Sequence, residues 1–163
     1  MNFDMISNTL REGIFIKEEN GRMSDFFMES FCPQLDTQAI DPFYPDAAVI
    51  NLGTNDWSAP ISTLQYTQRY EELLDFFRKR YPHTPLVCAI GPMNFGPVPA
   101  LTALVAKRRE AGDRNIHYLE FPLIIRPQDG FGGAGHPSVV KHRAMAELLT
   151  QKLCEICPVF KNS

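Results

Sequence analysis

The chain predicts an α/β fold: a three-layer α/β/α sandwich around a parallel sheet. Three observations predict it. Strand-like and helix-like segments alternate from residue 47 onward, which calls for right-handed crossovers and parallel strands. The first strand-like segment, Ala47–Leu52, is a continuous apolar run with β-branched residues, the pattern of a strand covered on both faces. The polar motifs of the chain, Gly53–Trp57, Gly91–Asn94 and His136, fall just beyond those strands, where open parallel sheets bind ligands.

Taken in order, residues 1–46 are the least regular part. Phe15-Ile16 reads as a brief extended piece, Ser24–Phe31 as a short helix and Pro33–Pro45 as a linking loop. Ala47–Leu52 is an apolar, partly β-branched run and predicts the first of three strands. Ser62–Tyr81 predicts a long helix. Leu64, Tyr70, Leu73, Leu74 and Phe77 form its apolar stripe, Arg69, Glu71, Lys79 and Arg80 its wet face, and Pro82 stops it. Pro85–Ile90 predicts a second buried strand. Val98–Ala111 predicts a helix closed by Gly112. Asn115–Phe121 predicts a third strand. A glycine-rich loop, Asp129–Gly135, then leads to a last helix with Pro137 in its first turn and Val140, Ala144, Leu148, Leu149 and Leu153 facing inward. No internal repeat or low-complexity tract interrupts the pattern.

At 163 residues the chain fits one domain, and 44% apolar residues suffice for a core. The net charge of −3 is spread over both signs, so no basic patch points to nucleic acid. No apolar run reaches the roughly 18 residues of a membrane span. Met1–Arg11 lacks the apolar core of a signal peptide, and the compartment stays open. Cys32 and Cys88 lie in apolar surroundings and read as buried thiols. Cys154 and Cys157 have CxxC spacing but no second pair and no nearby His, so they read as helix-end packing rather than zinc ligands. No metal and no cofactor is expected. The oligomeric state is not legible.

Two motifs carry chemistry. Val49-Ile50-Asn51-Leu52 runs into Gly53-Thr54-Asn55-Asp56, which puts a side-chain amide at a strand exit. Fixed donors of that kind stabilise the oxyanion of a tetrahedral intermediate, each worth on the order of 10²–10³ in rate. Read by itself, the motif is equally a strand-exit turn, where Asn and Asp are common. Gly135-His136-Pro137-Ser138 offers an imidazole, whose pKa suits proton transfer near neutrality. His142 reads as solvated or structural, His83 as a loop residue and His117 as a strand residue. Trp57, the chain's single Trp, reads equally as a sugar-stacking ring or as a packing residue.

Together with Gly91-Pro92 and Asp129-Gly130-Phe131-Gly132, these blocks resemble the SGNH (GDSL-like) hydrolases, and more narrowly the acetyl-xylan esterases of the second carbohydrate-esterase family. The resemblance runs over about residues 12–157. It implies a flavodoxin-like sheet and a serine esterase that deacetylates polysaccharide such as acetyl-xylan, through an acyl-enzyme and without a cofactor. It assigns His136 as the catalytic base, Asn55 and Gly13 as oxyanion donors, and Trp57 and Asn94 as groove residues. The implied partner is an acetylated carbohydrate or other small ester, with no nucleic acid and no membrane.

The chain departs from that pattern in two places. The family's nucleophile sits in a Gly-Asp-Ser block ahead of the Gly block, and nothing before Gly13 matches it. Ser7 has neither the Gly-Asp nor a strand. The family's acid two residues before the His is Ala134 here, although some members orient the His through backbone carbonyls instead. Asp129 matches another family Asp, which shapes the loop. Loss of a triad nucleophile costs on the order of 10⁶ in turnover, so the chain as given is expected to be impaired. A first strand is missing from the pattern as well, which leaves the Val49–Leu52 edge bare. An N-terminally truncated domain accounts for both. Two rivals stand beside the esterase. Gly130-Phe131-Gly132-Gly133-Ala134-Gly135 spells GxGxxG before a helix, but no second strand ending in an acid follows. A non-catalytic carbohydrate-binding or interaction domain on the same scaffold would use Asn55, Trp57, Asn94 and Phe95.

Overall fold

A computed structural model describes residues 45–54, 56 and 62–162. The expectations for Phe15-Ile16, for Ser24–Phe31 and for the linking loop up to Tyr44 lie outside the described residues, as does Cys32. The three strands are β1 (Ala48–Asn51), β2 (Leu86–Ile90) and β3 (Ile116–Glu120). Among the described residues they form one sheet in the order β1-β2-β3, parallel throughout. Ala48 stands opposite Leu86, and Leu86 opposite Ile116. Each strand is a residue or two shorter than its predicted segment, because the ladder ends before the flanking turns do.

Alternation along the strands divides the core in two. Ile50, Leu52, Leu86, Cys88, Ile90 and Ile116 face one side and pack on helices α1 (Thr63–Arg80) and α2 (Val98–Glu110). Val87, Ala89, Leu119 and Phe121 face the other side and pack on Met145, Leu149, Leu153 and Ile156 of helix α4 (Val139–Ile156). The result is the expected three-layer α/β/α sandwich. Every residue of β2 is buried, as a central strand between two helical layers requires.

Helix α1 begins at a capping box: the Ser62 hydroxyl accepts from Gln65 N while the Gln65 side chain accepts from Ser62 N. Its buried stripe is Tyr66, Tyr70, Leu73 and Leu74. Leu64, assigned to that stripe from the sequence, is 66% exposed. Two residues before Tyr66 is about 200° around the helix, so the stripe cannot hold both. Tyr66 takes the inward place because its hydroxyl donates to Leu52 O at 3.3 Å. The Tyr70 hydroxyl does the same to Ile50 O at 3.1 Å. Behind them Cys88 is fully buried, and that burial pushes its thiol up to about 12.

Helix α2 closes with Gly112 at φ +105°, one residue past the Ala111 cap. The segment after β3 holds more structure than a loop: a one-turn helix α3 (Arg126–Asp129) and a 3-10 turn (Gly133–Gly135). Helix α4 corrects two expectations. Its N-cap is Ser138, so Pro137 precedes the helix rather than sitting in its first turn. Val140 is 58% exposed and Met145 takes its place in the stripe. The inward positions step by four residues from Lys141, and Val140 is one residue out of phase. No described helix is long and apolar enough to cross a membrane.

Candidate active site

The strand exits are laced to one another. Gly53 has φ +119°, and a Cβ there would stand 2.9 Å from the Tyr66 hydroxyl and 3.1 Å from Pro97. The turn after β1 is glycine because a side chain would have neither the torsion nor the room. Thr54 O accepts from the Asn94 amide at 3.1 Å, and Gly91 O accepts from the Asn51 amide at 3.2 Å. The turn after β2 is therefore tied twice to the end of β1. It is tied to the end of β3 as well, through Phe121 N to Ile90 O at 2.8 Å and Ile124 N to Pro92 O at 3.3 Å. Gly91, at φ +96°, is so close to the Phe121 carbonyl that a Cβ would run into it. Beneath this lacing Asp56 is fully buried. Burial first, and the Asp56 carboxylate second, push the Tyr66 phenol well above its ordinary range.

His136 stands on an exposed loop that folds back on itself. Gly132 N donates to His136 O at 2.8 Å and His136 N donates to Gly133 O at 3.1 Å. Phe131 and Pro137 form an isolated antiparallel bridge. A Cβ on Gly132 would lie 2.8 Å from Pro137 O, so this close return needs glycine. The ring Nδ1 lies 3.1 Å from the same Gly133 carbonyl. A carbonyl oxygen can only accept, so this contact calls for the proton on Nδ1, and in the neutral ring Nε2 then presents its lone pair. That is the tautomer a general base needs, and a backbone carbonyl enforces it where Ala134 offers no acid.

The stems of this loop meet at Asp129, Ser138 and Lys141. Asp129 Oδ2 accepts from Ile125 N at 2.6 Å and from Lys141 Nζ at 3.1 Å. The Ser138 hydroxyl donates to Asp129 O and accepts from Lys141 N. The hydrogen bond from Ile125 N, and then the Lys141 ammonium, hold the Asp129 carboxyl below its ordinary value. Asp129 thus shapes the loop and does not touch the imidazole.

Of the sequence-predicted site residues, the described ones are His136 and Asn94. Asn55, Gly13 and Trp57 lie outside the described residues. Both polar atoms of the Asn94 amide are engaged within the protein, the second accepting Gly96 N at 2.8 Å, so Asn94 ties the turn after β2 to Thr54. His83 and His142 are exposed. His117 is half-buried and lies below its ordinary 6.5, through burial first and then Arg109 and Lys152. The GxGxxG string follows a one-turn helix rather than a strand, which removes the strand-turn-helix that a dinucleotide fingerprint needs. The Cys154 thiol donates to Phe160 O at 3.0 Å, and the Cys157 thiol lies 3.5 Å from Asp46 O. No group of three metal-ligating side chains stands together among the described residues. Lys141 and Tyr66 escaped the sequence reading. Their roles depend on contacts that no local pattern carries.

The sequence profile of the GDSL-like lipase/acylhydrolase family matches residues 20–144. The chain belongs to that family. It is 35% identical over 120 residues to the cellulase/esterase CelE of Acetivibrio thermocellus, a match covering 68% of this chain and 14% of that relative. A solved family two carbohydrate esterase from Clostridium thermocellum, in complex with cellohexaose, superposes with a TM-score of 0.66 at 32% identity. It covers 69% of this chain and 36% of its own. An acetyl xylan esterase, Est2A, from the rumen bacterium Butyrivibrio proteoclasticus shares the fold, with a TM-score of 0.62 at 21% identity, over 69% of this chain and 37% of its own. The GDSL-like chain therefore spans a minor part of the length of these relatives.

Proposed function

We propose that this chain carries the base and oxyanion-donor part of a serine esterase acting on acetylated carbohydrate. The observation that carries the reading is the His136 ring: Nδ1 is held by Gly133 O and Nε2 is left bare on an exposed loop. That loop is anchored to the segment following β3, which is itself bound to the exit of β2, and that exit is bound in turn to the end of β1. In the reaction, Nε2 removes the proton of an attacking Ser hydroxyl and later returns it to the departing sugar oxygen. Asn55 and Gly13 donate to the oxyanion, and Trp57 lines the sugar side of the groove. The neighbours that bind or deacetylate carbohydrate support this substrate class.

The test is hydrolysis of acetylated xylan and of nitrophenyl acetate. No Gly-Asp-Ser block is present in the 163 residues. The chain by itself is expected to hydrolyse both poorly and to form no adduct with a serine-directed phosphonate. Extended by a strand ending in Gly-Asp-Ser ahead of Gly13, it should hydrolyse acetyl esters. That activity should vanish with His136→Ala and fall by roughly two to three orders of magnitude with Asn55→Ala. Robust, His136-dependent hydrolysis by the unextended chain would reveal another nucleophile and sink the reading. A second reading, carbohydrate binding without turnover, is favoured by the relative seen with cellohexaose. Cellohexaose binding that persists in a chain inert even after the extension would select it.

A further inference from the structure

Lys141 is buried to 4% of its surface on the first turn of α4, an unusual place for a lysine. Its ammonium donates to Leu123 O at 2.7 Å and to Asp129 Oδ2 at 3.1 Å. Leu123 belongs to the segment bound to the β2 exit, and Asp129 ends the short helix from which the His136 loop departs. Ser138, at the other stem, bonds to both Asp129 O and Lys141 N. One side chain thus joins the strand exits, the outgoing stem and the returning stem of a loop whose tip, Phe131–His136, is exposed throughout.

We infer that Lys141 is a positioning residue for His136, its ammonium clamping both stems so that the Gly133 carbonyl stays on Nδ1 and Nε2 stays free. This rests on the reading of His136 as the base. The physical case is that the tip has few anchors: two backbone bonds, one ring bond, the Phe131–Pro137 bridge and the Arg126 guanidinium 5.0 Å over the Phe131 ring. A short exposed turn of that kind opens readily unless its stems are fixed. A buried ammonium held by a carboxylate and a carbonyl fixes them. Without those partners it could not remain buried.

The tautomer of His136 tests the inference. In the full chain labelled with ¹⁵N-histidine, near pH 8, long-range ¹H–¹⁵N correlations separate Nδ1–H from Nε2–H imidazoles. His83, His117 and His142 serve as internal references. His136 should be mainly Nδ1–H in the parent chain. In Lys141→Met, that population should fall several-fold, toward the Nε2–H form that a free imidazole prefers. Asp129→Asn, which keeps the shape of the carboxyl group, should move it the same way. Val105→Ala loosens the opposite core and should leave it unchanged. A His136 that stays Nδ1–H in folded Lys141→Met and Asp129→Asn overturns the inference. So does loss of folding in both variants while Val105→Ala folds, because Lys141 would then be a global core element. The readout needs no ester. The esterase reading fails separately, if the Ser-extended chain hydrolyses acetyl esters without His136.

Discussion

A side chain at Gly91 would have to displace the Phe121 carbonyl and adopt φ +96°. Gly112 has a similar torsion, +105°, with nothing within 4 Å of an added Cβ. The two separate steric from torsional cost. Gly112→Ala should destabilise by about 1 kcal/mol, the left-handed penalty alone. Gly91→Ala should cost about 2–4 kcal/mol, since strain and a backbone clash act together. Urea midpoints of the two variants check this, and equal losses would show that the Phe121 carbonyl yields freely. The sequence offers His136 as a candidate because its motif is local. What orients it was not legible there. The Gly133 carbonyl is a backbone group with no residue signature, and a lysine in a helix reads as a solvated charge until Leu123 and Asp129 are seen to enclose it.

The capping box at Ser62 satisfies backbone donors that a helix start otherwise leaves unpaired. Ser62→Ala should cost about 1 kcal/mol. Leu74→Ala, removing a fully buried side chain from the α1 stripe, should cost about 2–5 kcal/mol, and Leu64→Ala less than about 0.5 kcal/mol. Comparable losses at the two positions would return Leu64 to the stripe. His117 of β3 gives this layer a pH dependence. Its folded-state pKa lies below the ordinary 6.5, from burial, then Arg109 and Lys152, with Glu155 and Asp113 opposing. The unfolded chain therefore takes up the proton first. The contribution of His117 is complete above 6.5 and is lost as pH falls below it. His117→Gln should flatten the stability curve just below pH 6.5, and an unchanged slope there would refute the assignment. The strands and long helices were readable because period and composition mark them. The phases of α1 and α4 were misread by one or two residues at Leu64 and Val140, because stripe membership near a helix start depends on where the sheet stops.

The sheet divides the molecule into two cores joined through β2, whose odd and even residues serve opposite layers. That architecture was legible in outline, since apolar runs alternating with amphipathic helices admit few other packings. The family resemblance was legible for the same reason that the strand exits are: Gly53 and Gly91 mark turns where nothing larger fits. Cys88, on the α1 and α2 face of β2, turns this arrangement into a measuring device. The attacking species in alkylation is the thiolate, and a thiol shifted to about 12 with no exposed surface forms almost none of it. In a chain with Cys32, Cys154 and Cys157 replaced by Ser, iodoacetamide should react only with molecules whose central strand has come free. The labelling rate against urea would then follow the opening of the whole sheet, with no chromophore attached.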